Sequence, residues 1–205
     1  MVFVTRRFAV LLTGLFVAVA LAPAAHAADD PAVATVQVFY DNLLDSMKNG
    51  KALGAQGRYN KMKPVVEQAF ELGTMIKFAV GPAWDTMSAT DQKSLADSFD
   101  RMTAAQYAGN FSSYGGEKFV VDPAVQVRGT DHYVSTKLVT SDQTVVFIYR
   151  LRQFGSSWKI IDVLLDGSIS QLNVYRSDFA ATVKAGGAPA LVKKIDDLSA
   201  RALKG

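Results

Sequence analysis

The sequence of 205 residues contains no cysteine and only two histidines, His26 and His132. Lack of cysteine excludes a disulfide framework, a thiol nucleophile, a cysteine-bound metal and the lipidated cysteine of a bacterial lipoprotein. Two histidines are too few for a histidine metal cluster, the more so because His26 falls in an N-terminal segment that reads as removable. No glycine loop has the dinucleotide or Walker spacing; Gly115-Gly116 and Gly186-Gly187 fit helix stops instead. Charge of one sign is also scarce: the formal net charge is +3, and Arg6 and Arg7 belong to the removable segment. No electrostatic case for nucleic acid remains, and no cofactor is implied.

The N-terminus has the layout of an export signal. Arg6 and Arg7 precede an apolar stretch from Phe8 to Leu21, and the small-residue triplet Ala25-His26-Ala27 follows. The stretch is short for a membrane span, so cleavage after Ala27 by the general secretory route is predicted. Residues 28–205 then form one soluble domain outside the cytoplasm, of a length that buries roughly 70% of its unfolded-chain surface. With no disulfide available, that domain relies on an apolar core, for which 49% hydrophobic residues suffice.

Asp30-Pro31 reads as an N-cap and first helical position, and Val36, Tyr40, Leu43 and Met47 recur at helical spacing until Asn49-Gly50. Residues 51–58 are polar and glycine-rich, and 59–80 should form short helical pieces interrupted at Pro64 and Gly73. After Gly81-Pro82, Ser88 and Asp91 stand at capping-box spacing before a long helix. Phe99, Tyr107, Phe111 and Tyr114 run down that helix to a stop at Tyr114-Gly115-Gly116.

The period then changes to two in four runs, 118–127, 132–140, 143–154 and 158–165, joined by connections short enough for hairpins. Ser168 or Ser170 can cap a helix carrying Leu172, Tyr175, Phe179 and Val183, broken at Gly186-Gly187; Pro189 opens a last helix with Leu191, Ile195 and Leu198. The predicted fold is α+β: an antiparallel four-stranded meander flanked by N- and C-terminal helices.

Catalytic chemistry is poorly supplied. His132 sits beside a predicted hairpin, and no serine context marks a nucleophile elbow. Asp162 interrupts the apolar run from Ile160 to Leu165, and a buried carboxylate needs a partner such as Arg176 or backbone N–H groups to stay charged. It reads either as a structural residue or as a general base. The positive signal is apolar: Phe70, Met75, Phe78, Trp84, Phe99, Met102, Tyr107, Phe111 and Tyr114 exceed what one thin layer needs. They fit ordinary core packing or the wall of a cavity.

From Gly81 onward the sequence resembles the MlaC-like, or toluene-tolerance, family of periplasmic lipid-binding proteins, which includes the hopanoid-associated HpnM branch. The matching segments are Val80-Gly81-Pro82-Ala83-Trp84, Tyr107-Ala108 with Phe111, Tyr114 and Gly116, Tyr149 with Trp158-Lys159 and Asp162-Val163, then Asp166-Gly167, Ser170 and Arg176-Ser177-Asp178-Phe179. Tyr175 lies one residue farther from the Asp-Gly pair than in the phospholipid-carrying pattern, which makes the stretch from Asp166 to Phe179 more similar to HpnM.

The resemblance implies a non-enzymatic periplasmic carrier of a hopanoid or phospholipid, working with an inner-membrane transporter complex and a second membrane partner. Its apolar pocket would lie between the long helix and the sheet. The expected lipid-binding residues are Phe70, Met75, Trp84, Phe99, Met102, Tyr107 and Phe111 with Val145, Phe147, Tyr149 and Leu151, and Ala105 is a position from which a larger side chain would fill the space. Asp162, Gly167 and Arg176 are expected in structural roles. Two other readings stand beside this one: a small pocket enzyme with Asp162 as general base, and a non-lipid adaptor of a membrane transporter.

Overall fold

Asp30 starts the first helix as its spacing predicts. Its Oδ1 accepts a 2.8 Å hydrogen bond from the Ala32 N–H, Pro31 needs no N–H partner at the first position, and α1 runs Pro31–Lys48. The computed structural model describes residues 30–204, so the expected signal segment, residues 1–27, lies outside the described residues. The inward face of α1 carries Val36, Phe39, Tyr40, Leu43 and Met47, all buried.

The next segment departs from expectation. α2 runs Gly50–Ala69, straight through Pro64, and includes the polar, glycine-rich residues 51–58, although its backbone leaves the helical region at Gly54. Tertiary contacts override local preference. Arg58 is buried and braces the segment, with Nε donating to the Ala108 carbonyl (2.8 Å) and Nη1 to that of Gly50 (3.0 Å), while Met62 and Val66 bury completely on either side of Pro64. The break comes instead at Phe70 and Glu71. There the chain forms a parallel bridge to Ile160, and the Glu71 N–H donates to the Ile160 carbonyl at 2.9 Å. Gly73 is the second residue of α3 (Leu72–Val80), in a first turn whose N–H groups have no helical partner, so it interrupts nothing.

A 3₁₀ turn, Gly81–Thr86, leads to α4 (Ala89–Asn110), where Ser88 Oγ accepts from the Asp91 N–H at 3.1 Å and also contacts the Asp91 carboxylate at 2.8 Å. The helix ends at Asn110, short of Tyr114. Gly109 lets it sit directly against the end of the chain: a Cβ there would lie 2.0 Å from the Ala202 carbonyl oxygen.

The sheet has five strands where four were expected: β1 Lys118–Arg128, β2 Asp131–Val139, β3 Thr144–Phe154, β4 Ser157–Leu165 and β5 Ile169–Ser170, ordered β1-β2-β3-β4-β5 and antiparallel throughout. The fifth is only two residues long, too short to show a period in sequence. Asp166 and Gly167, with φ of 48° and 71°, turn the chain between β4 and β5, the left-handed pair that favours Asp-Gly in tight hairpins. The β3–β4 register shifts between Arg150 and Leu151, opposite Asp162 and Ile160. The extra residue breaks the alternation, so Ile160, Ile161, Asp162 and Val163 are buried in succession. On β1 the register shifts between Val121 and Val125, across Asp122-Pro123.

Ser170 is the cap of the last helix, its Oγ accepting from the Asn173 N–H at 3.1 Å. α5 spans Gln171–Ala202 with an axis broken at Gly186 and Gly187, as the sequence predicts. The helices form two tiers. α1 lies on β1, β2 and β4, whereas α4 packs chiefly between α2 and α5. Only side chains span the interval between α4 and the sheet.

Candidate functional site

That interval holds a cavity of about 260 Å³. α4 supplies Phe99, Thr103, Gln106, Tyr107 and Asn110, with Phe111 at its end; β3 supplies Phe147 and Tyr149; β4 supplies Val163 and Leu165. Phe70, Met75, Gln171 and Tyr175 complete the wall. The Phe70 bridge to Ile160 anchors that ring beside the sheet, and the Ser170 cap fixes where Gln171 and Tyr175 enter.

The wall is aromatic and carries no ionised side chain. Tyr107 stands edge-on to Phe39 (4.9 Å between centroids), tilts against Phe70 (5.6 Å) and stacks with Phe111 (6.0 Å), while Phe99 meets Tyr175 edge-on at 5.5 Å. Burial pushes the Tyr149 and Tyr107 hydroxyls well above their ordinary range, and each lies near other buried tyrosines that add to the rise. Burial also raises Tyr175, against the opposing effect of its 2.7 Å hydrogen bond to Gln106 Oε1. Desolvating a phenolate is costly, so these groups stay neutral at physiological pH.

Of the residues expected to line a pocket, Phe70, Met75, Phe99, Tyr107, Phe111, Phe147 and Tyr149 come together here; Trp84, Met102, Val145 and Leu151 do not line the cavity. Trp84 sits on the 3₁₀ turn, half-buried against the core, its carbonyl accepting from Gln92 Nε2 at 2.9 Å. Met102 and Leu151 are wholly buried, and Val145 is half-buried at the start of β3. Ala105 is also wholly buried away from the cavity, so a tryptophan there would strike the core. Sequence reasoning missed Thr103, Gln106, Asn110, Val163, Leu165, Gln171 and Tyr175. For the α4 residues the signal was available: 99, 103, 106 and 110 share a helical face, but a search for large apolar side chains passes over its polar members.

Asp162 is not among the lining residues. Its Oδ1 accepts from the N–H groups of Val163 (2.8 Å) and Leu172 (3.1 Å), and its Oδ2 from Ser170 Oγ (2.6 Å). The carboxylate therefore closes the first turn of α5, where the helix dipole favours negative charge. Arg176 is not its partner. Nη1 of that guanidinium donates to the Phe78 carbonyl at 3.1 Å and its plane lies over the Phe78 ring, tying α5 to the end of α3. Gly167 serves the β4–β5 turn.

His132 pairs with Asp30 at 3.0 Å and lies 4.0 Å from the Trp158 ring, apart from the cavity. A second hollow of about 330 Å³ lies outside, between α1, α2 and the β3–β4 hairpin, where Val38 is half exposed and Ser156, Ser157 and Lys159 form part of the wall. Among the described residues no group of three or more His, Cys, Asp or Glu could hold a metal, and no helix is long and apolar enough to cross a membrane.

The family described as MlaC protein matches residues 37–197, a segment that contains every residue of the cavity wall. The chain belongs to the MlaC family. Among solved structures, a phospholipid-binding protein from Ralstonia solanacearum, determined in complex with a phospholipid, aligns with this MlaC-family chain at a TM-score of 0.70 and 23% identity. The alignment covers 83% of this chain and 98% of that one, so the two share a fold. No curated protein sequence matches this MlaC chain.

Proposed function

We propose that this MlaC-family chain is a periplasmic lipid carrier and not an enzyme. The observation that carries the reading is the neutral, aromatic-walled cavity between α4, α5 and the sheet, in a fold shared with a phospholipid-bound protein. Each methylene that leaves a bilayer for water costs about 0.8 kcal/mol, so an unaided two-chain or polycyclic lipid would cross the aqueous gap far too slowly. An apolar hollow offsets that cost and releases its cargo on opening.

At about 260 Å³ the hollow lies below the roughly 300–1,000 Å³ of pockets that enclose drug-sized ligands. Loading a whole lipid therefore requires the hollow to widen. In this reading residues 1–27 are a cleaved export signal and residues 28–205 are one lipid-binding domain. The chain passes its cargo between an inner-membrane transporter complex and a second membrane partner; a phospholipid, as in the Ralstonia solanacearum complex, is the first candidate, and the HpnM-like stretch from Asp166 to Phe179 makes a hopanoid the second. The enzyme alternative is disfavoured because both Asp162 oxygens are already engaged in closing α5.

Gentle purification from a host that exports the chain, followed by native mass spectrometry, tests the proposal. A lipid bound in a one-to-one complex is expected. A chain that emerges empty and extracts nothing from phospholipid or hopanoid vesicles would leave the adaptor reading in its place.

A further inference from the structure

The polar atoms in an otherwise apolar cavity point to how a ligand is read there. On the cavity face of α4, Gln106 stands between Thr103 and Asn110. Thr103 Oγ1 is tied back to the Phe99 carbonyl at 2.9 Å, and Asn110 lies exposed at the helix end. Gln106 is held from across the cavity: the Tyr175 hydroxyl donates to its Oε1 at 2.7 Å. That bond orients the amide with Oε1 toward the phenol, and in this arrangement Nε2 is left as a donor. No protein acceptor takes that donor among the described residues, where the one fully enclosed side-chain polar atom without a partner is Ser46 Oγ; Gln106 Nε2 is therefore open to whatever enters the cavity.

Resting on the carrier reading, we infer that Gln106 is a specificity-determining residue that donates a hydrogen bond to a neutral acceptor of the bound lipid, the ester carbonyl of an acyl chain, and that Tyr175 is its positioning residue. An ester carbonyl matches the site in three respects. It is an acceptor without a proton, it carries no charge for a wall that supplies no counter-ion, and it lies beside the hydrocarbon that the aromatic rings enclose. A phosphate or carboxylate would be desolvated against that wall with no cationic partner. Leaving the amide donor unpaired against a ligand that lacks the carbonyl costs affinity, and this penalty provides the selectivity.

The test compares two lipids that differ only in the linkage. The full exported chain, stripped of lipid, is equilibrated with vesicles holding equal amounts of a diacyl phosphatidylcholine and its dialkyl ether analogue with matched chains, and the bound lipids are quantified by mass spectrometry. The ester lipid should be preferred roughly threefold to tenfold, the range of one neutral hydrogen bond. Gln106→Leu, or Gln106→Met should the first fold poorly, should remove the preference while retaining the ether lipid. Tyr175→Phe should reduce it, because the amide can then rotate; a purely structural tyrosine would lower both lipids alike. Equal uptake of the two lipids by the unaltered chain, or a preference that survives at Gln106→Leu, overturns the carbonyl contact and leaves the carrier reading standing. Uptake of neither overturns the carbonyl contact, and the carrier reading falls with it only if hopanoid vesicles also yield no bound lipid. A pentacyclic triterpenoid alcohol supplied as a third lipid and preferred through Gln106 would mean that the amide presents its oxygen, and would also overturn the inference.

Discussion

α1 and α4 both carry faces rich in large apolar side chains, yet they meet the same sheet in different ways. Phe39, Tyr40 and Leu43 of α1 lie directly on the strands at 0–2% exposure, and Tyr40 adds a 2.7 Å hydrogen bond to Thr136 of β2. α4 is gripped from its sides by α2 and α5, with Arg58 bonded to the Ala108 carbonyl and Gly109 pressed against Ala202. Its Phe99, Tyr107 and Phe111 reach toward β3 and β4 across a gap that they do not fill. A hollow inside a small fold thus needs no unusual residues. It needs a helix whose distance from the sheet is set by other helices.

That contrast predicts opposite responses to truncation and to filling. Leu43→Ala should cost about 2–5 kcal/mol in denaturant unfolding, because the packed region cannot collapse into the space left behind. Thr103→Phe adds volume where space exists. It should cost less than the roughly 1–3 kcal/mol of overpacking a dense core, while lowering lipid uptake from vesicles severalfold. If Thr103→Phe unfolds the chain as severely as Leu43→Ala, the two regions are equally densely packed and α4 stands over no usable space.

Asp162→Ala strips the carboxylate from the Val163 and Leu172 N–H groups and from Ser170 Oγ, and should cost about 2–3 kcal/mol, the scale of hydrogen bonds to a charged group. Lipid uptake measured below the melting temperature should persist, whereas a general base would show selective loss of a reaction. The smallest effect is expected outside the cavity, beside α2. Asp100 is partly buried and near Glu67, and these two causes push its carboxyl up to about 6. The folded state holds that proton more tightly than the unfolded chain. The resulting stability is complete below about pH 4 and is lost as pH rises through about 6. Asp100→Asn should flatten thermal stability across that window and raise it at pH 7 by under about 1 kcal/mol, since water screens the exposed part of the carboxylate.

Local chemistry made most of the framework legible. Asp30, Ser88 and Ser170 cap the helices that their spacing announces, the change of period marks β1 to β4, and Gly186-Gly187 breaks α5. Where long-range contacts decide, sequence reasoning fell short. Residues 50–58 are helical because buried Arg58 finds carbonyl acceptors that lie 50 and 8 residues away. The aromatic half of the cavity could be anticipated from Phe99, Tyr107 and Phe147, but its polar half could not: Gln106 acquires meaning only when Tyr175 arrives from α5 to orient it.

The outer margins of the sheet bear on how the chain behaves in a crowded compartment. On one side, β5 and the Phe70 bridge cover β4. The other side is β1, and there the ladder is interrupted at Asp122-Pro123, where the proline offers no N–H and the register jumps. A strand from another molecule finds no unbroken row of donors and acceptors to extend, so the sheet's open margin is guarded against edge-to-edge aggregation.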